Sequence, residues 1–128
     1  MLFLQFSISA LVDATHKFDE KIASNTYLFT LHCAPDCQFC DEMMDIMEDV
    51  ADYFEDYEDE LVIGHANCRI KPEICANHKI TEHPTLLLWK GGRKVGEYRG
   101  PRNAIVVTEW LKVKVGLDQI KSDIKQEI

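Results

Sequence analysis

The stretch Tyr27-Leu28-Phe29-Thr30-Leu31-His32-Cys33-Ala34-Pro35-Asp36-Cys37-Gln38-Phe39-Cys40 decides the fold, because it delivers paired cysteines to the junction between a strand and a helix. Its first part, Tyr27–Leu31, is an aromatic and β-branched run that reads as a buried strand. After it, Met43, Met47, Val50 and Phe54 recur at helical spacing, so a helix starts close to Cys37 and runs to about Tyr57. Unpaired N–H groups and the aligned peptide dipoles at a helix N-terminus stabilise an anion there. A thiolate at Cys37 suits that position, and Cys40, one turn deeper, is placed to attack it. Two thiols so spaced make a reversible disulfide.

The bounds on the chain fit a compact soluble domain. At 128 residues it is long enough to bury about two-thirds of its unfolded surface in one core. Apolar residues make up 46% and charged residues 28%, which excludes disordered and fibrous classes. A net charge of −8 without a basic stripe argues against nucleic acid as a partner. No apolar run after the N-terminus is long enough to cross a membrane, so no membrane partner is expected. Residues 1–12 contain an apolar run that could serve as a leader, but it has no basic residue ahead of it and no clear cleavage signal after it. The five cysteines group by spacing as Cys37 with Cys40, Cys68 with Cys75, and Cys33 alone, the last read as a buried small hydrophobe.

Taken in order, Ile8–Val12 reads as a first strand, and Asp13-Ala14-Thr15 as the cap of a helix carrying Phe18 and Ile22. Between Asp41 and Glu60 lie eleven acidic residues and no basic ones, the pattern of a solvated helix face; without a glycine-centred loop it makes a poor calcium site. Leu61–Ile63 opens another strand, and Pro72 suits the first turn of a short helix. Thr85–Trp89 is a fully apolar strand, joined at Gly91-Gly92 to a hairpin partner, Lys94–Tyr98. A last helix then directs Ile105, Val106, Trp110 and Val113 to the core. This order, βαβαβαββα, predicts an α/β domain with a central mixed sheet flanked by helices on both faces. Residues 1–115 form the domain in this reading, and 116–128 a C-terminal helical extension or linker with Leu117, Ile120, Ile124 and Ile128 as its stripe.

Ala34-Pro35-Asp36-Cys37-Gln38-Phe39-Cys40, Asn67-Cys68, Cys75, His83-Pro84-Thr85-Leu86 and Tyr98-Arg99-Gly100-Pro101-Arg102 together resemble the catalytic domain of a protein disulfide isomerase, within the thioredoxin superfamily. The resemblance implies a thioredoxin fold, with Cys37 as the attacking cysteine and Cys40 as the resolving one. It implies a cis-proline at Pro84 facing the disulfide, His83 beside it at the substrate chain, and Arg102 near the resolving cysteine. A Cys68–Cys75 disulfide is implied by some members of the family, with two buried free thiols as the alternative. Leu31 and His65 stand where the family has a buried acid and its lysine partner. Loss of both charges is easier than loss of one, since a lone buried charge has no compensation.

The implied activity is thiol–disulfide exchange with cysteine-containing protein substrates. These would lie extended against His83-Pro84 with Phe39 as an apolar contact. Glutathione or an oxidase would be the redox partner, no cofactor is needed, and the implied location is the endoplasmic reticulum lumen or secretory pathway. A thioredoxin-like reductase, or a redox-poor chaperone or assembly module for unfolded clients, are the competing functions. A structural Cys37–Cys40 disulfide is disfavoured because so short a loop gains little as a cross-link. No metal is assigned: a zinc site using His32 or His65 would need strand neighbours that point to opposite faces to converge. An iron–sulfur site at Cys33, Cys37 and Cys40 would need a larger enzyme scaffold than 128 residues provide.

Overall fold

Strand β2, Tyr27–Cys33, lies at the centre of a five-stranded sheet ordered β1-β3-β2-β4-β5. The computed structural model describes residues 10–34 and 37–117. β1 is Val12–Asp13, β3 Leu61–Asn67, β4 Thr85–Lys90 and β5 Arg93–Tyr98. β3 runs parallel to both β1 and β2, while β4 is antiparallel to β2 and to β5. The parallel step from β2 to β3 requires a crossover long enough to hold a helix; the β4–β5 step is a tight hairpin at Gly91 and Gly92, both with positive φ.

Because successive side chains on a strand alternate between faces, β2 sorts the helices into two layers. Phe29 and Leu31 point to one face, where they pack with Met43, Met47 and Val50 of α2, Cys40–Tyr53, and with Val107 and Leu111 of α4, Ala104–Val115. Leu28, Thr30 and His32 belong to the other face. There α1, Phe18–Ile22, and α3, Pro72–Asn77, close a second core with Trp89, Ile74 and Ile80. Helices on both faces of a mixed sheet is the architecture the element order predicts.

Several local expectations shift. α2 ends at Tyr53 and a 3-10 turn, Glu55–Tyr57, completes the segment. Asp13 does not cap α1: its carboxylate accepts the Thr15 N–H at 2.9 Å, and the helix starts after Lys17, which adopts φ 56°. The Thr15 side chain, with a smaller contribution from that N–H, holds the Asp13 carboxyl below its ordinary range. On α4 the inward positions are Val107 and Leu111, whereas Ile105, Val106 and Val113 are exposed, Ile105 by 73% and Val113 by 67%. Trp110 does pack inward, edge-on to Tyr98 and tilted against Phe29. The apolar residues of α4 are spread around the helix, so their spacing alone does not select a face. Leu117 is buried in the core after Gly116 ends α4, while Ile120, Ile124 and Ile128 fall outside the described residues, as do residues 1–9.

The turn that leads into α4 is tied down at both ends. The Tyr98 hydroxyl donates to the Pro101 carbonyl, and a Cβ on Gly100 would stand 2.7 Å from that hydroxyl oxygen, so only glycine permits this close return. Asn103 then caps α4, its side-chain oxygen accepting the N–H groups of Ile105 at 2.9 Å and Val106 at 3.2 Å. Asn103→Ala is expected to lower unfolding free energy by about 1 kcal/mol, measured by urea titration at unchanged slope.

Candidate functional site: cysteines at the C-terminal end of the central strand

The end of β2, the start of α2 and the end of β3 enclose an open pocket of about 330 Å³. Cys33, Cys37 and Cys40 line it together with His65, Asn67 and Arg69. α2 begins at Cys40, with Phe39 as its N-terminal flanking residue, so Cys37 stands just ahead of the helix. Its carbonyl accepts the Cys40 N–H at 3.2 Å, and its own N–H donates to the Ala34 carbonyl at 3.2 Å. These two turns hold Cys37 against the helix entrance.

The disulfide here joins Cys33 to Cys40, with Cα atoms 6.0 Å apart, and Cys37 is a half-buried free thiol. This differs from the spacing-based grouping, which paired Cys37 with Cys40 and set Cys33 aside as a small hydrophobe. The physical reason is strand alternation. Cys33 follows Phe29 and Leu31 on the face covered by α2, so its side chain points at the first turn of that helix, where Cys40 is buried. The phase of the alternating run was the signal in the sequence; proximity of Cys37 and Cys40 along the chain outweighed it.

His83 and Pro84 lie at the entrance to β4, and the peptide bond between them is cis. The His83 ring donates from Nδ1 to the His32 carbonyl at 3.3 Å, which ties the loop to the end of β2. The Thr85 hydroxyl donates to the Glu82 carbonyl across the same turn. Pro84 shares a second pocket of about 290 Å³ with Arg102, Tyr98 and Met43. The Arg102 guanidinium lies over the Phe39 ring, 3.8 Å from its centroid, so the apolar and cationic residues singled out in the sequence meet as a stacked pair. In this disulfide form Arg102 is thus held beside the helix entrance by Phe39. Leu31 and His65 are register partners across β2 and β3, Leu31 fully buried and His65 on the wall of the cysteine pocket.

On the opposite face of β2 a second disulfide joins Cys68 to Cys75, Cα atoms 5.8 Å apart, closing the turn between β3 and α3. The turn is also held by Asn67, whose side-chain oxygen accepts from the N–H groups of Arg69 and Ile70. A loop this short limits the entropy gained by cross-linking, so Cys68→Ala with Cys75→Ala is expected to cost about 2–3 kcal/mol in denaturant unfolding.

A residue of this region that sequence reasoning passed over as functional is His32. It is fully buried, and a ring nitrogen lies within 4.8 Å of both the Cys68 and Cys75 sulfurs. Nε2 is 2.6 Å from the Thr30 hydroxyl, which also accepts from the Trp89 indole N–H at 2.9 Å, while Nδ1 has no hydrogen-bond partner among the described residues. Burial, with smaller contributions from His78 and His83, pushes its pKa down to about 3, so the ring is neutral at ordinary pH. With both sulfurs in a disulfide, this trio has no thiolate to offer a metal.

Comparison with known proteins places this geometry in a family. The sequence pattern of the thioredoxin family matches residues 9–113. Protein disulfide isomerase-like 5-1 of Oryza sativa subsp. japonica is 32% identical over 87 residues, covering 67% of this chain and 58% of its own length. Protein disulfide-isomerase 5-1 of Arabidopsis thaliana is 30% identical over 87 residues, with 67% and 59% covered. The chain therefore spans a little over half of these relatives. Among solved structures, human ERp44 form II superposes with a TM-score of 0.75 at 21% identity, covering 90% of this chain and 33% of that one. The J-Trx1 fragment of ERdj5 gives 0.73 at 20% identity, covering 83% and 52%; at such identities the likeness is one of fold. With most of its length matched by the family pattern, and its named relatives protein disulfide isomerases, this chain belongs to the thioredoxin family as a domain of the protein disulfide isomerase type.

Proposed function

We propose that the chain is a thiol–disulfide oxidoreductase of protein disulfide isomerase type, acting on cysteine-containing protein substrates. The observation that carries this reading is a free thiol, Cys37, on the wall of an open pocket that also contains a disulfide-forming pair at a helix entrance. Cys37 attacks a substrate sulfur, forming a mixed disulfide and releasing the other substrate sulfur as a thiolate; Cys40 serves as the resolving cysteine when it is reduced. The substrate chain lies extended beside His83 and Pro84, with the Phe39–Arg102 stack as an apolar and cationic wall. The natural redox partner is glutathione or an oxidase. The location that suits this activity, and that the names of the relatives favour, is the endoplasmic reticulum lumen or secretory pathway.

Insulin reduction and refolding of scrambled ribonuclease test the assignment together. Catalysis of both supports it. Catalysis of insulin reduction alone would favour a thioredoxin-like reductase, and suppression of client aggregation without either activity would favour a chaperone or assembly module.

A further inference from the structure

We propose that Cys33 is a third redox cysteine: the Cys33–Cys40 disulfide is the resting oxidised form, and it exchanges internally with Cys37–Cys40, so that the oxidised domain keeps a free nucleophile. This rests on the thiol-exchange reading above and adds to it a residue and a step. Three observations carry it. Cys33 and Cys40 are joined while Cys37 is free, all three line one pocket, and the alternation of β2 places Cys33 on the face of α2. The sulfur that both disulfides share is Cys40, on the first residue of α2.

The exchange balances without an outside reagent. The Cys37 thiolate attacks the Cys40 sulfur; the Cys37–Cys40 bond forms, the Cys33–Cys40 bond breaks, and Cys33 leaves as a thiolate. No electrons enter or leave, and one proton passes from Cys37 to Cys33. Oxidation of a dithiol substrate then starts from Cys37–Cys40. One substrate thiolate attacks Cys37 and releases Cys40, and the second attacks the substrate sulfur of the mixed disulfide and releases Cys37. The substrate loses two electrons and two protons to the domain, which ends with three thiols. Isomerisation starts instead from Cys33–Cys40. Here Cys37 attacks a wrong substrate disulfide while Cys40 is already bonded, so the mixed disulfide is not resolved from within the domain. It persists until another substrate thiolate displaces Cys37. The arrangement therefore separates the two activities by which partner Cys40 holds.

Non-reducing maps of the oxidised wild-type chain, alkylated with N-ethylmaleimide before digestion, test this directly. Cleavage before Asp36 and after Phe39 puts the three cysteines on separate peptides. The expected result is a Cys33–Cys40 linked peptide and one equivalent of label on Cys37. In oxidised Cys33→Ser, label on Cys37 should fall at least tenfold, because Cys37–Cys40 is then the remaining pairing. Label on Cys33 with Cys37 joined to Cys40 in the wild type overturns the inference while leaving exchange through Cys37 intact. Failure of that broader reading would show instead as wild-type protein unable to reduce insulin. Unchanged labelling of Cys37 in Cys33→Ser also overturns the third-cysteine role, since Cys37 would then be free for a reason unrelated to Cys33.

Discussion

Replacing Cys37 with serine is expected to bring insulin reduction down to the uncatalysed rate, the largest effect of any single change in this chain. The nucleophile in thiol–disulfide exchange is a thiolate, and a serine hydroxyl neither ionises in the working range nor forms a bond to sulfur that a second thiol can displace. With dithiothreitol as the electron donor the Cys33–Cys40 bond also opens, but Cys40 is then a buried sulfur on the first residue of α2, so it resolves a mixed disulfide rather than starting one. Cys40→Ser should behave differently. It retains the first attack, and mixed disulfides accumulate because the resolving sulfur is gone. Steady-state reduction of insulin, followed by its turbidity, and non-reducing gels of the trapped adduct separate the two variants. Equal turnover by Cys37→Ser and wild type would remove Cys37 from the reaction.

The second large effect is on stability against pH, and it originates at His32. This imidazole has an ordinary value of 6.5 and is pushed to about 3 in the folded chain, mainly by burial. Its folded pKa lies below its unfolded one, so between these values the unfolded chain binds the extra proton and acid favours unfolding. The stability is fully present above about pH 6.5 and is lost progressively as pH falls towards about 3. Moving from pH 7 to pH 5 should cost about 2 kcal/mol, a large share of the roughly 5–15 kcal/mol typical of a domain. Asp13, held below its ordinary 3.8, contributes its own loss only at lower pH and leaves this window clear. His32→Phe should flatten the pH 5–7 dependence. Thr30 then keeps the Trp89 indole as donor and the Leu87 carbonyl as acceptor, so no new orphaned polar group is created. Urea titrations at several pH values, with both disulfides intact, measure this; an equal slope in wild type and variant would assign the acid sensitivity elsewhere.

How far the chain could be read from its residues depended on whether a feature was local or shared between elements. β2, α2, the β4–β5 hairpin and the helix beginning at Pro72 were legible because each carries its own periodicity or turn chemistry. The combination of Cys37, Cys40, Pro84 and Arg102 was legible as a resemblance. The cysteine pairing at the site was not, because it depends on the face to which Cys33 points. That face follows from the alternation Phe29, Leu31, Cys33, which becomes decisive only once α2 is known to cover it. His32, which the sequence offers only as a zinc ligand to be set aside, was not legible as a buried neutral ring for a related reason. A histidine in an apolar strand gives no hint of its surroundings: Thr30 is its neighbour on β2, but Trp89 and the Cys68–Cys75 disulfide come to it from two other places in the chain. The inward face of α4 was misjudged because Ile105 and Val113 are as apolar as Val107 and Leu111, and contact with the sheet alone separates them.

Whether Cys37 is the sulfur that meets the substrate is decided by the site of the first covalent bond. The oxidised wild-type chain is incubated with a short disulfide-containing peptide, quenched in acid and mapped without reduction. The expected product is a mixed disulfide between the peptide and Cys37, with the Cys68–Cys75 bond unchanged. A peptide bonded to Cys33 or Cys40 while Cys37 stays free, or no adduct at all, would contradict it.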